Sequence, residues 1–469
     1  MSVRPLELGK RALLVLFCVG TLPAVAAPEG ETRVSSMSLP EVLEYARQHQ
    51  PSLRAAQARA QAALAQTFVP RAQWFPRIGA TAQVFVATAN NTSGTYVGAG
   101  GVDLPRIGDT PTATFGSAGW TPYGASIAAV GLRQEVFDFG KIAAQSAVVD
   151  ALATAQASHT QAVELDLKLA VKNAYFAVLA AKAILSASEA AYQRSLGERN
   201  DAAARVKAGM RSPVDLTRPE ADLMRFDAGR IRARGSVATA QAVLAAIAGF
   251  PEGRLDASTA APPGSEPPEQ QESLRRALEQ APEVQEYLAR LSAQRAVSKD
   301  MLLELLPDLF LTGTFSGRAG GAQANGNPPP AQPPGSGFVP GVPNWDLGLV
   351  LSWQLYDQSL LERRKVSQRN EEAASADLDA VRLSLSSAIQ QAYCALDVAL
   401  EALPALRRAV DAAHANRDQV DARFKVGLGT AVELADADAV LTEAEIQVAL
   451  GQFEADRARA RLARAIAEP

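Results

Sequence analysis

Arg205-Val206-Lys207-Ala208-Gly209-Met210-Arg211-Ser212-Pro213-Val214-Asp215-Leu216 returns later in the chain as Arg423-Phe424-Lys425-Val426-Gly427-Leu428-Gly429-Thr430-Ala431-Val432-Glu433-Leu434. Each copy reads as the basic end of a helix, a glycine suited to the left-handed C′ position, then a hydroxyl N-cap with an acid three residues on. Pro213 stands where a helix accepts proline, at its first position. A helix that stops and restarts within a few residues turns back on itself, so both stretches predict antiparallel helical hairpins. The duplication extends outward: Tyr175 and Leu244 recur as Tyr393 and Leu462 at the same interval. Leu43, Ala46, Pro51, Pro76 and Thr81 recur as Leu274, Ala277, Pro282, Pro307 and Thr312 at a slightly longer one, because Pro76 to Asp138 exceeds Pro307 to Asp357. One unit has been duplicated, which implies two similar substructures packed side by side.

No proline interrupts Lys141 to Gly209, and a continuous helix of that length would reach roughly 100 Å. In the second copy, Ser359 to Gly427, apolar residues fall at Leu378, Val381, Leu385, Ala388, Ala392, Leu396, Ala399, Leu403, Leu406, Val410 and Ala413. Spacings of three and four mark a coiled-coil-like seam, and Pro404 predicts a kink in it. The return helices should run from about Pro213 to Ala248 and from Ala431 to Ala467.

Upstream of each long helix lies a pair of candidate strands. Leu309, Leu311 and Phe315 alternate with Asp308, Thr312, Thr314 and Ser316; Ile78, Ala80, Val84 and Val86 alternate with Arg77, Thr81 and Gln83. Trp345, Leu347, Leu349, Leu351, Trp353 and Leu355 alternate with Asp346, Gly348, Ser352 and Gln354. Period two fits a sheet with one apolar face. Trp345 and Trp353 share that face at a spacing of roughly 20 Å along a tilted strand, the gap between the aromatic girdles of a membrane barrel. The Gly/Pro/Ser/Thr-rich stretches Asn90 to Pro122 and Gly317 to Asn344 read as exposed loops outside the cell.

The organisation expected is therefore a signal peptide at 1–26 and repeat 1 at 27–255, with a strand pair near 76–137 and a hairpin at 140–248. A Pro-rich linker at 256–271 leads to repeat 2 at 272–469, with strands near 307–356 and a hairpin at 359–467. The signal reading rests on Arg4, Lys10 and Arg11, the apolar run Ala12 to Gly20, and small residues up to Ala26. Phe17 before Cys18 is too bulky for a lipidation signal, so no lipid anchor is expected. Processing leaves Cys394 without a partner, on a helical pattern that reads as a buried, inert thiol.

The formal charge is −4, with basic residues spread along helices, which argues against nucleic acid as a partner. His49, His159 and His414 lie far apart without a neighbouring Cys or His, and no nucleophile elbow, Walker-type loop or HExxH occurs. The sequence points to no catalysis, no metal and no cofactor.

Leu39-Pro40-Glu41-Val42-Leu43 with Pro51, Phe75-Pro76, Val136-Phe137-Asp138-Phe139-Gly140, Leu355-Tyr356-Asp357 and the two hairpin turns occur in an order that resembles the TolC-like outer-membrane efflux family. The match runs from about Met37 to Ala467. The resemblance implies a fold that is mainly α with a membrane β-barrel portion: a homotrimer with a twelve-stranded outer-membrane barrel continuing into a periplasmic tunnel of helical hairpins. It implies a passive exit duct in the Gram-negative outer membrane, served by a periplasmic adaptor and an inner-membrane pump and surrounded by outer-membrane lipid. Four strands from one chain leave open edges, which lipid does not tolerate.

The resemblance also places an acidic constriction at Glu433 and Asp436, and hairpin links at Asp215 and Arg211. Phe424 stands where the family can carry tyrosine and Gly429 where it can carry arginine, so the contacts that close the tip differ here. Ala208, Gly209, Met210 and Ser212, with Val426, Gly427, Leu428 and Thr430, are the expected adaptor-docking tips. The rival reading is a periplasmic coiled-coil scaffold or adaptor without a barrel.

Overall fold

A computed structural model describes residues 34–88, 98–99, 102–103, 122–210, 212–251, 253–258, 269–320, 342–426 and 428–468. The expected signal peptide, most of the linker, Arg211 and Gly427 lie outside the described residues.

Each repeat opens with two short helices divided by a proline, which cannot continue the helix before it. These are α1 (Leu39–His49) and α2 (Pro51–Gln66), followed by the single turn α3 (Phe68–Arg71). Ser38 starts α1 through a capping box, its N–H donating to Glu41 Oε2 at 2.8 Å. In repeat 2 the equivalents, α6 and α7, are Gln270–Gln280 and Pro282–Leu303. The long helices are α4 (Lys141–Lys207) and α8 (Gln358–Lys425); the return helices are α5 (Thr217–Ala248), preceded by a 3₁₀ turn at Pro213–Leu216, and α9 (Ala431–Ala465). Helix α8 runs on through Pro404.

Helix α4 packs against α5 and also against α9, so the two hairpins lie flank to flank, with α7 between α4 and α8. Repeat 1 buries one continuous core of Val42, Leu53, Val171, Tyr175, Val178, Leu244 and Leu255. Repeat 2 divides its core into two smaller clusters, around Ile389 and Leu396 and around Val284 and Leu378. The predicted seam of α8 is buried at Leu378, Ala392, Leu396, Leu403 and Ala413; at one turn within it the fully buried residue is Ile389, and its neighbour Ala388 is exposed. Cys394 is exposed rather than buried, since it sits on the face of α8 opposite Ala392, Tyr393 and Leu396.

Two segments distant in sequence pair in parallel: β1 (Val34–Met37) and β6 (Arg254–Ala257). Asp256 accepts from Lys182 Nζ at 2.6 Å and from Gln241 Nε2 at 2.8 Å. These contacts draw Asp256 and Ala257, expected to open the linker, into the folded part of repeat 1.

The membrane part is a four-stranded antiparallel sheet in the order β2-β5-β7-β8. Its strands are β2 (Arg77–Thr88), β5 (Pro122–Phe137), β7 (Asp308–Gly320) and β8 (Val342–Ser352), with a small hairpin of β3 (Gly98–Ala99) and β4 (Val102–Asp103) in the first loop. The strands take Gly317–Gly320 and Val342–Asn344 from the expected second loop. At the other end β8 stops at Ser352, so Trp353 and Leu355 lie past the strand rather than in it. The row Ile78, Leu132, Gly313, Leu347 runs across all four strands, and Ile78 and Leu347 are exposed. Apolar residues on that exposed face, with polar residues on the other, are the pattern of a barrel wall in lipid. Strands β2 and β8 form the outer edges of the sheet, and a membrane requires further strands to pair with them.

Candidate functional site

The tips are closed by the same backbone bond. Met210 N–H donates to Arg205 O at 3.0 Å and Leu428 N–H to Arg423 O at 2.9 Å, the long bond of a Schellman turn. Gly209 has φ +72°, the left-handed conformation that this turn demands. Met210 is 77 % exposed and Leu428 74 %, and Val426, Ala208, Ser212 and Thr430 are exposed beside them. The tip therefore presents small and apolar groups to its surroundings.

The acids expected at the tip have different duties. Ser212 N–H donates to Asp215 Oδ2 at 3.2 Å, and Thr430 N–H to Glu433 Oε2 at 3.3 Å. Both carboxylates thus complete capping boxes at helix starts, where the helix dipole favours negative charge. Asp436, one turn further along α9, is exposed and outside that box. A Cβ at Gly429 would stand 3.1 Å from Phe424 N and 3.4 Å from Glu433 Oε2, so the turn is built around the missing side chain. Phe424 points between the hairpins of its own chain. The Arg205 guanidinium lies 5.5 Å from its ring centroid, a cation–π contact between copy one and copy two. Together they border a cavity of about 250 Å³ whose lining includes Glu198, Asp215, Asp222 and Val432.

Above this cavity sits a charged cluster absent from the expected site. Asp438 of α9 is 2 % exposed. Its Oδ1 lies 3.1 Å from Arg194 Nε of α4 and 3.2 Å from Arg417 Nε of α8. Arg194 also donates to Thr442 Oγ1 at 3.1 Å. Burial, reinforced by the neighbouring Asp438 carboxylate, pushes the Glu198 carboxyl up to about 9. At neutral pH Glu198 is therefore protonated and can donate to Asp438. The cluster joins the outgoing helix of copy one to both helices of hairpin two. A signal for it existed: Arg417 and Asp438 repeat Arg199 and Glu220 at the interval of the two turns.

On the sheet, Trp345 and Phe315 are cross-strand partners, 78 % and 60 % exposed. Trp353, expected in the same girdle, lies beyond its strand, its Nε1–H donating to Leu305 O at 3.0 Å. Trp74, Phe75, Phe137 and Phe139 are exposed near the inner ends of β2 and β5, and the Phe137 and Phe139 rings meet edge to face at 4.7 Å. The alternation did not single them out, because they stand outside it. Among the described residues no group of His, Cys, Asp and Glu is arranged to hold a metal ion.

The outer membrane efflux protein family model matches residues 42–250 and 273–468, one match per repeat. The solved structure of a membrane protein from Pseudomonas aeruginosa is similar at 18 % identity and a TM-score of 0.73, over 93 % of this chain and 91 % of that one. The Campylobacter jejuni CmeC outer membrane channel gives 13 % identity and a TM-score of 0.73, over 99 % and 94 % of the two chains. The open state of the Neisseria gonorrhoeae MtrE outer membrane channel gives 18 % and 0.69, over 94 % and 93 %. No curated protein sequence matches the chain. A periplasmic scaffold would have no use for a sheet with an apolar exposed face. With both repeats matched, the chain belongs to the outer membrane efflux protein family and is an outer-membrane exit duct of the trimeric, TolC-like fold.

Proposed function

We propose that the hairpin tips are both the docking surface for a periplasmic adaptor and the gate of the duct, with Asp436 as the principal gate carboxylate. The observation that carries the gate reading is the division of labour among the tip acids. Asp215 and Glu433 are engaged in capping boxes, whereas Asp436 is exposed on the next turn and outside them. In a trimer Asp436 and Glu433 together bring carboxylates from every chain round one opening, a field that favours cations and that divalent cations neutralise. The apolar, solvent-facing Met210, Val426 and Leu428 supply a surface for adaptor hairpin tips, through which an inner-membrane pump delivers substrate. Asp215, with Arg211, links neighbouring hairpins in this reading.

Single-channel recording in planar bilayers tests it. Asp436→Ala should lower cation selectivity and weaken block by divalent cations more than Glu433→Ala does, and Asp215→Ala should raise conductance. Wild-type selectivity and block in Asp436→Ala would remove the gate. Leu428→Asp should leave an assembled channel that no longer crosslinks to the adaptor; retained crosslinking would remove the docking role.

A further inference from the structure

Arg77 on β2 and Arg133 on β5 are direct cross-strand partners, and the row continues through Thr312 and Gly348. The adjacent row, Ile78, Leu132, Gly313 and Leu347, faces lipid. Successive residues of a strand point to opposite faces, so both guanidiniums face the interior at the inner end of the sheet. No carboxylate shares their row. Like charges directly opposite each other destabilise a sheet, and nothing in the row offsets this pair.

The neighbouring acids are largely engaged elsewhere. Asp138 is buried and accepts from Gly140 N–H at 3.0 Å and Ile142 N–H at 2.5 Å, holding the turn from β5 into α4. Asp308 is paired with Lys141 Nζ at 2.6 Å. Glu135, two residues along β5, is the remaining carboxylate of the cavity of about 210 Å³ that Arg77 and Arg133 line, and its charge acts on Arg133. Among the described residues neither Arg77 nor Arg133 has a hydrogen bond or an ion pair. The Arg133 guanidinium carbon instead lies over the Phe310 ring, 3.8 Å from its centroid, a cation–π contact. Stacking occupies the face of a guanidinium and leaves its in-plane N–H donors free. Two guanidiniums on paired strand positions, lining one polar cavity, offer the kind of N–H donors that bind an oxyanion bidentately.

We propose that the Arg77–Arg133 pair is a binding site for oxyanion groups, carboxylate or phosphate, on solutes passing through the barrel base. The assignment rests on the exit-duct reading for its access route, and in the trimeric barrel each chain supplies one such pair. The interior then carries two filters of opposite sign: carboxylates at the periplasmic tip and guanidinium pairs where tunnel meets barrel. An anionic group that has cleared the tip meets a complementary site before it leaves.

Calorimetric titration of the detergent-solubilised, full-length trimer tests the pair, using inorganic pyrophosphate as the phosphate probe and citrate as the carboxylate probe. The wild-type protein should bind at least one of them. Arg77→Gln with Arg133→Gln should weaken binding about tenfold or more, while Arg133→Lys, which keeps charge but loses the fork, should fall between. Arg77→Gln alone, at the more exposed position, guards against misfolding of the double variant. Failure of the wild type to bind either probe, or equal binding by the glutamine variants, would overturn the site. The same anions should block current through reconstituted wild-type channels and not through the double variant. A conducting channel without arginine-dependent binding removes the pair and leaves the duct; arginine-dependent binding without a conducting channel counts against the duct and not the pair.

Discussion

The Arg199–Glu220 pair of hairpin one and the Arg417–Asp438 pair of hairpin two occupy the same place in the duplicated unit, and their surroundings make them opposites. Arg199 Nη2 lies 3.6 Å from Glu220 Oε1, with side chains 38 % and 48 % exposed. Arg417 Nε lies 3.2 Å from Asp438 Oδ1, with side chains 20 % and 3 % exposed. Hairpin one leaves its pair on the surface, where water screens it and the contact is worth little. Hairpin two has α4 of the other repeat laid across it, bringing Arg194 and Glu198 onto Asp438. Where copy two carries the exposed Asn416, copy one carries Glu198 and turns it inward. Duplication supplied one ion pair twice, and packing turned the second into the joint between the repeats.

The largest test of that contrast is truncation of the acid in each copy. Asp438→Ala strips Arg194 and Arg417 of a buried partner and should cost about 3–5 kcal/mol, whereas Glu220→Ala should stay within about 1 kcal/mol. Denaturant midpoints of the solubilised protein measure both. Similar losses in the two variants would show that burial does not distinguish the pairs.

A smaller effect should appear in the pH dependence. The folded chain holds a proton on Glu198 that the unfolded chain releases near the ordinary glutamate value. The contribution of this group is therefore fully present below that value and is lost as pH climbs to about 9. One proton sets an upper bound of about 1.4 kcal/mol per pH unit on the slope. Glu198→Gln, which keeps a donor towards Asp438, should flatten the profile between about pH 6 and pH 9. An unchanged slope would place the proton elsewhere.

The smallest difference lies in the caps. Thr430 Oγ1 accepts from Glu433 N–H at 3.2 Å, while Ser212 Oγ accepts from Val214 N–H at 3.4 Å and Pro213 already sets the first helical φ. Thr430→Ala should cost about 1 kcal/mol and Ser212→Ala about half of that, read as faster amide exchange in the first turn of each return helix. Equal acceleration at both tips would mean that the proline contributes nothing to hairpin one.

The features legible in advance share a physical origin. Glycine at a left-handed turn, a hydroxyl before an acid, proline dividing α1 from α2, and alternation along β8 are each decided within a few residues. A sequence that contains them twice also declares its own repeat. The exposure of Met210 and Leu428 was legible too, because each stands on a turn with no helix face of its own hairpin to bury it.

By itself the sequence determined the duplicated hairpins, the strand phase that puts Leu347 and Leu349 on the outer face, the caps at Ser212 and Thr430, and the family. Tertiary structure alone decided that Ile389 rather than Ala388 faces the core and that Cys394 is exposed, because which positions of a helix are covered depends on the elements packed against it. It decided that Arg77 stands beside Arg133, because register joins strands far apart in the chain. It also decided that Asp438 is buried and Glu220 is not, because burial depends on which helix of the other repeat arrives at that face, and no local pattern encodes it.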